Sequence, residues 1–159
     1  GQLRQYAPHS LAGAKERARR IGRPAPAWKL ADLDGKRHAL SSQRGSVVVL
    51  DFWYRGCSWC MLAMPELVRL ARELEGKRVR FFGMNTDEDT ADARHVVRAY
   101  GIPYPTLRCG DTYKQYGVSG FPTLVVIDGR GVVREMLVGY SPDIHDRLAR
   151  AIRNSWGED

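Results

Sequence analysis

The sequence predicts an α/β fold, a central mixed β-sheet with helices on both faces. Three observations carry that expectation. Short apolar runs of strand length alternate with segments whose apolar residues recur every three to four positions. Two late runs are joined by an Asp128-Gly129 turn, which makes them a hairpin, and a helix-period segment follows them. At 159 residues the chain has the length of one domain and can bury a core without disulfide staples.

Taken in order, residues 10–21 read as a short Ala- and Arg-rich helix, with Ser10 as N-cap and Gly22 as C-cap. Its apolar face, Leu11, Ala14, Ala18 and Ile21, is thin. Arg23-Pro24-Ala-Pro26-Ala-Trp28 is a stiff, extended lead-in. Residues 28–33 and 36–40 flank Asp34-Gly35 and form a small edge hairpin. Residues 46–53 are almost all apolar and β-branched, as in a central strand buried on both faces. Residues 58–74 repeat Leu67, Leu70, Ala71 and Leu74 on one helix face, with Arg69, Arg72 and Glu73 outward. Residues 79–84 form a second buried strand, with 85–89 as its polar exit, and 90–100 form a helix that Gly101-Ile-Pro103 ends. A short strand at 104–108 and a short helix at 112–116 precede the late hairpin. Ser141 or Asp143 opens a last helix carrying Ile144, Leu148, Ala151 and Ile152. The expected organisation is a basic helix and linker over residues 1–22 and one domain over 23–156.

The net charge is +7, and residues 1–24 hold +5 of it through Arg4, Lys15, Arg17, Arg19, Arg20 and Arg23 against Glu16. Such a tail could meet anionic surfaces, but it reads first as a solvated helix face, and no nucleic-acid partner is expected. No run of about 18 apolar residues exists to span a membrane. The chain starts at Gly1 without a signal-peptide pattern, so we expect a processed piece of a longer protein. Three cysteines are too few and odd in number for a disulfide scaffold, so their value is chemical.

Two of them stand in Asp51-Phe-Trp-Tyr-Arg-Gly-Cys57-Ser-Trp-Cys60, where the buried strand hands over to a helix. Thiols at that spacing close into a small disulfide ring or stay open as a dithiol. A helix N-terminus supplies unpaired N–H groups and a positive dipole end, which favour thiolate over thiol. The pattern is that of a thiol–disulfide exchange site. Half of a zinc knuckle would share the spacing, but no second pair matches it and Cys109 is alone.

With Asp-Phe-Trp ahead of the cysteines, Pro65 five residues past the second, the Gly-Arg-Pro-Ala-Pro-Ala-Trp lead-in and Gly120-Phe-Pro122-Thr, the chain resembles the thioredoxin superfamily. It is most similar there to thiol–disulfide oxidoreductases of the TlpA/ResA type, over residues 22–152. The resemblance implies a thioredoxin fold with an N-terminal hairpin extension and a helix–strand insert before the cis-proline. It implies Cys57 as a solvent-facing nucleophile, Cys60 as the resolving thiol and Asp51 as the buried acid that accepts the Cys60 proton. Pro122 takes the place of the cis-proline, with Phe121 and Trp59 bordering the substrate.

The implied partners are protein thiols and disulfides and an upstream thiol reductant or oxidant protein. The implied location is periplasmic or otherwise extracytoplasmic, with cytoplasmic as the alternative. A membrane tether would lie outside this chain, cytochrome c maturation is one pathway, a monomer is expected, and no cofactor or metal is implied. Four positions depart from the family: Trp59 replaces a proline, Gly56 a tryptophan, Gly83 a lysine and Ala63 a glutamate. Arg55 adds a cation near Cys57, and Cys109 is expected to be a buried, inert thiol. Two alternatives remain. A peroxiredoxin-like thiol peroxidase needs threonine where Tyr54 stands, and a copper chaperone on the same fold spaces its cysteines by three residues and adds a distant histidine.

Overall fold

The computed structural model describes residues 11–157. The elements run α1 (Leu11–Arg20), β1 (Lys29–Ala31), β2 (Arg37–Ala39), β3 (Val47–Trp53), α2 (Ser58–Glu73), β4 (Val79–Asn85) and α3 (Thr90–Tyr100). They continue as β5 (Thr106–Arg108), α4 (Thr112–Gln115), β6 (Thr123–Ile127), β7 (Val133–Val138) and α5 (Ile144–Ser155). Gly101 is the C-cap of α3 and Asp143 the N-cap of α5, as expected; Ser10, read as the first N-cap, lies outside the described residues.

Five strands form a mixed sheet in the order β5-β4-β3-β6-β7. β3 runs parallel to β4 and β4 parallel to β5, while β6 is antiparallel to both β3 and β7. β3 is central because all seven of its residues are buried, so both of its faces must be apolar. Side chains alternate along it. Val48, Leu50 and Phe52 join Trp28, Leu40, Tyr116 and Val125 on one face. Val47 and Val49 meet Leu67 and Leu70 of α2 and Leu148 and Ile152 of α5 on the other. Full burial of each such Val or Leu side chain stabilises the fold by about 1.5–3 kcal/mol.

β1 and β2 pair as a separate hairpin, with Gly35 at φ 87° in its turn. The hairpin reaches the sheet edge, where Leu33 N–H donates to Thr106 C=O at 3.2 Å. α1 buries none of its residues, in keeping with its thin apolar face, and is tied down by Arg20 Nη1 donating to Gln115 C=O at 2.6 Å. β1, β2 and β3 are each shorter than expected, and the ends of β4 and β5 also differ. Asn85 belongs to β4 because its register with Trp53 and Arg108 extends the ladder. β5 starts only at Thr106, since Pro105 before it has no N–H to give.

Candidate active site

β3 carries Asp51 and ends at Trp53, and a tight turn closed by Cys57 N–H to Tyr54 C=O, 3.2 Å, leads into α2. Cys57 is the N-cap of that helix. Its backbone is extended, at φ −87° and ψ 103°, and its Sγ accepts the Cys60 N–H at 3.1 Å. The sulfur therefore takes the place that a Ser or Asp oxygen fills at an ordinary N-cap. It also sits at the positive end of the α2 dipole, where negative charge is favoured. Cys57 and Cys60 are joined as a disulfide, with Cα atoms 5.2 Å apart.

One expectation fails here. Cys57 does not face solvent: it is 0% exposed, and Cys60 is 1% exposed. The cover is aromatic. Both sulfurs lie in a cluster with Trp53, Met64 and Val96, against which Tyr54, Trp59 and Phe121 pack. Tyr54 and Phe121 meet edge to face with centroids 5.3 Å apart, and Trp59 stacks on Tyr140 at 6.2 Å. Apolar burial of this kind stabilises the closed disulfide face.

The Phe121–Pro122 bond is cis. Pro122 is buried, its C=O accepting from Gly139 N–H at 2.8 Å, while Phe121 is half-buried and reaches both Tyr54 and Tyr113. Arg55, the cation two residues before Cys57, pairs its guanidinium with Asp92 at 3.0 Å. Gly56 is exposed, and a Cβ there would meet only the Tyr54 ring at 3.6 Å. Cys109 is 1% exposed and unbridged, and burial pushes its thiol up to about 12, so it stays protonated and inert.

Asp51 is 2% exposed, and no protein group hydrogen-bonds to either carboxyl oxygen. Burial alone pushes its pKa up to about 8. The missing lysine has a structural reason. Gly83 lies in register with Asp51, and a Cβ on it would stand 3.0 Å from Trp53 Nε1 and 3.4 Å from Thr106 Oγ1. The indole fills the room a side chain would need. Ala63 lies on the buried face of α2 and carries no carboxylate to approach the acid from there.

Thr106 and Tyr104 were not singled out from the sequence. Thr106 comes to Gly83, the residue in register with Asp51, only through the register of β4 and β5. The Asp51 charge reaches the Tyr104 phenol, whose pKa burial first and that charge second hold well above the usual value. Among the described residues no group of three or more His, Cys, Asp or Glu is placed to hold a metal ion.

Residues 21–136 match the family model described as AhpC/TSA. The chain belongs to the AhpC/TSA family. It is 31% identical over 128 residues to the thiol-disulfide oxidoreductase ResA of Bacillus cereus, covering 79% of this chain and 74% of that protein. The ResA of Bacillus subtilis is 30% identical, covering 80% and 73% respectively. A solved structure described as a thiol:disulfide interchange protein DsbE, from Chlorobium tepidum, superposes with a TM-score of 0.79 at 30% identity. That match covers 86% of this chain and 98% of the other. This AhpC/TSA member thus has a thioredoxin fold and is a thiol–disulfide oxidoreductase. Neither the peroxidase nor the copper-chaperone alternative is favoured.

Proposed function

We propose that Cys57 is the attacking thiolate of this oxidoreductase, Cys60 its resolving thiol and Asp51 the acceptor of the Cys60 proton. The observation that carries the reading is the bridged pair at the start of α2, with the Cys60 N–H aimed at the Cys57 sulfur. In the reduced enzyme that N–H and the helix dipole stabilise a Cys57 thiolate. The thiolate attacks one sulfur of a substrate disulfide, whose other sulfur leaves as thiolate, and a mixed disulfide forms. Cys60 gives its proton to Asp51 and attacks Cys57 Sγ. The Cys57–substrate bond breaks, and two electrons have passed to the substrate as a dithiol. Run backwards, the same steps oxidise a substrate dithiol.

Pro122, Phe121 and Trp59 form the substrate-facing wall in this reading. Phe121 and Trp59 are the half-buried rings packed at the cysteines, so a docking protein meets them first. The substrates are protein thiols and disulfides. An upstream dithiol or disulfide protein restores the starting state, and the reaction runs outside the cytoplasm, a reading supported by likeness to the ResA and DsbE relatives. No helix among the described residues is long and apolar enough to cross a membrane. Residues 23–156 act as the catalytic domain, and residues 1–22 as a basic extension.

Reduction of insulin disulfides by dithiothreitol-primed protein tests the roles. Cys57→Ser and Cys60→Ser are each expected to lower turnover at least about a hundredfold. Unchanged turnover in both would end the proposal.

A further inference from the structure

Asp51 and Trp53 are two residues apart on β3 and so share a sheet face. Gly83 of β4 pairs with Asp51, and Thr106 of β5 pairs with Gly83, which sets the same face across three parallel strands. Trp53 is 0% exposed and Thr106 4% exposed. Their polar atoms, Trp53 Nε1 and Thr106 Oγ1, have no hydrogen-bond partner in the protein, and neither do the two oxygens of Asp51. Four buried polar atoms on this one sheet face thus have no partner in the protein. Leaving a buried donor or acceptor unmade carries its full desolvation penalty, and such groups in folded proteins are ordinarily satisfied by protein or by internal water.

Gly83 points to the second. Glycine inside a strand weakens it and marks a close approach or a space that must stay clear. A Cβ at Gly83 would stand 3.0 Å from Trp53 Nε1 and 3.4 Å from Thr106 Oγ1, so both groups converge on the volume above this residue. A side chain there would block whatever they share.

The inventory of donors and acceptors balances. The indole N–H only donates, the hydroxyl does both, and the carboxylate only accepts. A water molecule accepts from Trp53 and donates to Asp51 and Thr106, which gives it the two to four polar partners an internal water needs. Tyr104 forms the outer wall. Its hydroxyl is directed to Met64 Sδ at 3.9 Å, its ring stacks on Phe81 at 5.5 Å, and it borders an open cleft with Pro103 and Pro105.

We infer that Asp51, Trp53, Gly83, Thr106 and Tyr104 enclose a hydrated chamber, in which Trp53 and Thr106 are positioning residues for an internal water that serves Asp51. This rests on the reading of Asp51 as the acceptor of the Cys60 proton. The step it assists moves one proton and no electrons: Cys60 S–H becomes thiolate and the Asp51 carboxylate becomes carboxyl, the water donating to whichever oxygen carries the charge. By donating to the carboxylate, the water favours its charged form, and removing the groups that hold the water raises the pH at which Asp51 works. Asp51 faces Leu124 on β6 and Gly83 on β4 and acts on Tyr104; of these only Tyr104 is titratable, and no charged side chain contributes to the state of Asp51.

The test is the pH dependence of Cys60 attack on a Cys57 mixed disulfide, followed by stopped flow in wild type, Thr106→Val, Thr106→Ser and Asp51→Asn. Wild type is expected to rise to a midpoint well above the usual carboxylate range, set by the ionisation of the buried Asp51. Thr106→Val is expected to move that midpoint up by about half a pH unit or more, and Thr106→Ser, which keeps the hydroxyl, to restore it. An unmoved or lowered midpoint in Thr106→Val overturns the chamber while leaving Asp51 in place. A profile unaltered by Asp51→Asn removes the Asp51 reading itself. A second readout needs no variant. In wild-type protein the Trp53 indole proton is expected to show a nuclear Overhauser effect to a long-lived water, and its absence overturns the inference.

Discussion

Cys57 and Asp51 owe their chemistry to opposite surroundings. Cys57 Sγ receives an N–H and a helix dipole, both favouring negative charge. Asp51 receives neither, and burial holds it neutral up to a pKa of about 8. That shift has a consequence for stability. An unfolded chain ionises this carboxyl near its usual 3.8, while the folded chain keeps its proton up to about pH 8. The folded state therefore binds the extra proton, and stability falls as pH rises through that window, by about 1.4 kcal/mol per pH unit from this residue. Below it the cost vanishes; above it the cost is complete. Asp51→Asn is expected to remove the dependence, so the oxidised variant should gain several pH-dependent kcal/mol over wild type by pH 8.5 and little at pH 4. Denaturant titrations at both pH values check this, and equal gains at the two would contradict it.

Single residues also show the limits of sequence reading. The Cys57–Cys60 pair was legible because strand, two-residue spacing and helix lie within one short stretch. The burial of Cys57 was not, since its cover includes Phe121, 64 positions away, and depends on how loops from three elements meet. Gly83 stood out only as a departure; its reason is the Trp53 indole above it, which appears once the β3–β4 register is fixed.

Among the elements, those with local start and stop signals were read closely. α3 is the clearest: Asp89 Oδ1 accepts Ala91 N–H at 2.9 Å at one end, and Gly101 at φ 62° and ψ 44° closes the other. A Cβ at Gly101 would meet only Arg72 Nη2 at 3.8 Å, so space is no obstacle and the left-handed backbone is. Gly101→Ala is expected to cost about 1–2 kcal/mol, seen as a lower denaturant midpoint at unchanged slope, with insulin reduction intact. A neutral substitution would show that the helix end relaxes. α2 also carries Pro65, which cannot donate to Met61 C=O, so the helix is weakest where it leaves the cysteines. β5 was harder to bound, because its three residues are defined by pairing with β4 and not by any pattern of their own.

For the whole molecule, the sheet order positions the site: β3 lies between β4 and β6, so its C-terminal end receives α2 above and the Phe121–Pro122 loop beside it. α1, the described helix of the basic extension, is peripheral. α1 buries nothing, and past it Gly22 N–H bonds to Val133 C=O at 2.7 Å. Removal of residues 1–22 is expected to leave insulin reduction within about twofold of the full chain and to lower stability by about 1–3 kcal/mol, the worth of the two hydrogen bonds of Arg20 and Gly22. Loss of turnover in a folded truncation would place the extension in the catalytic unit. The mixed α/β architecture was legible throughout, since alternation, hairpin and closing helix all signal it locally. The three-strand row from Asp51 to Thr106 was not, because it is written only in long-range register.

The division of labour between the two cysteines is tested most directly by trapping. Cys60→Ser, reduced and mixed with a disulfide-bonded peptide, should accumulate a covalent adduct that mass spectrometry of its digest locates on Cys57. Cys57→Ser should accumulate none under the same conditions. An adduct on Cys60 of the Cys57→Ser protein, or on Cys109 of either, with Cys57 left unmodified in Cys60→Ser, would contradict Cys57 as the nucleophile.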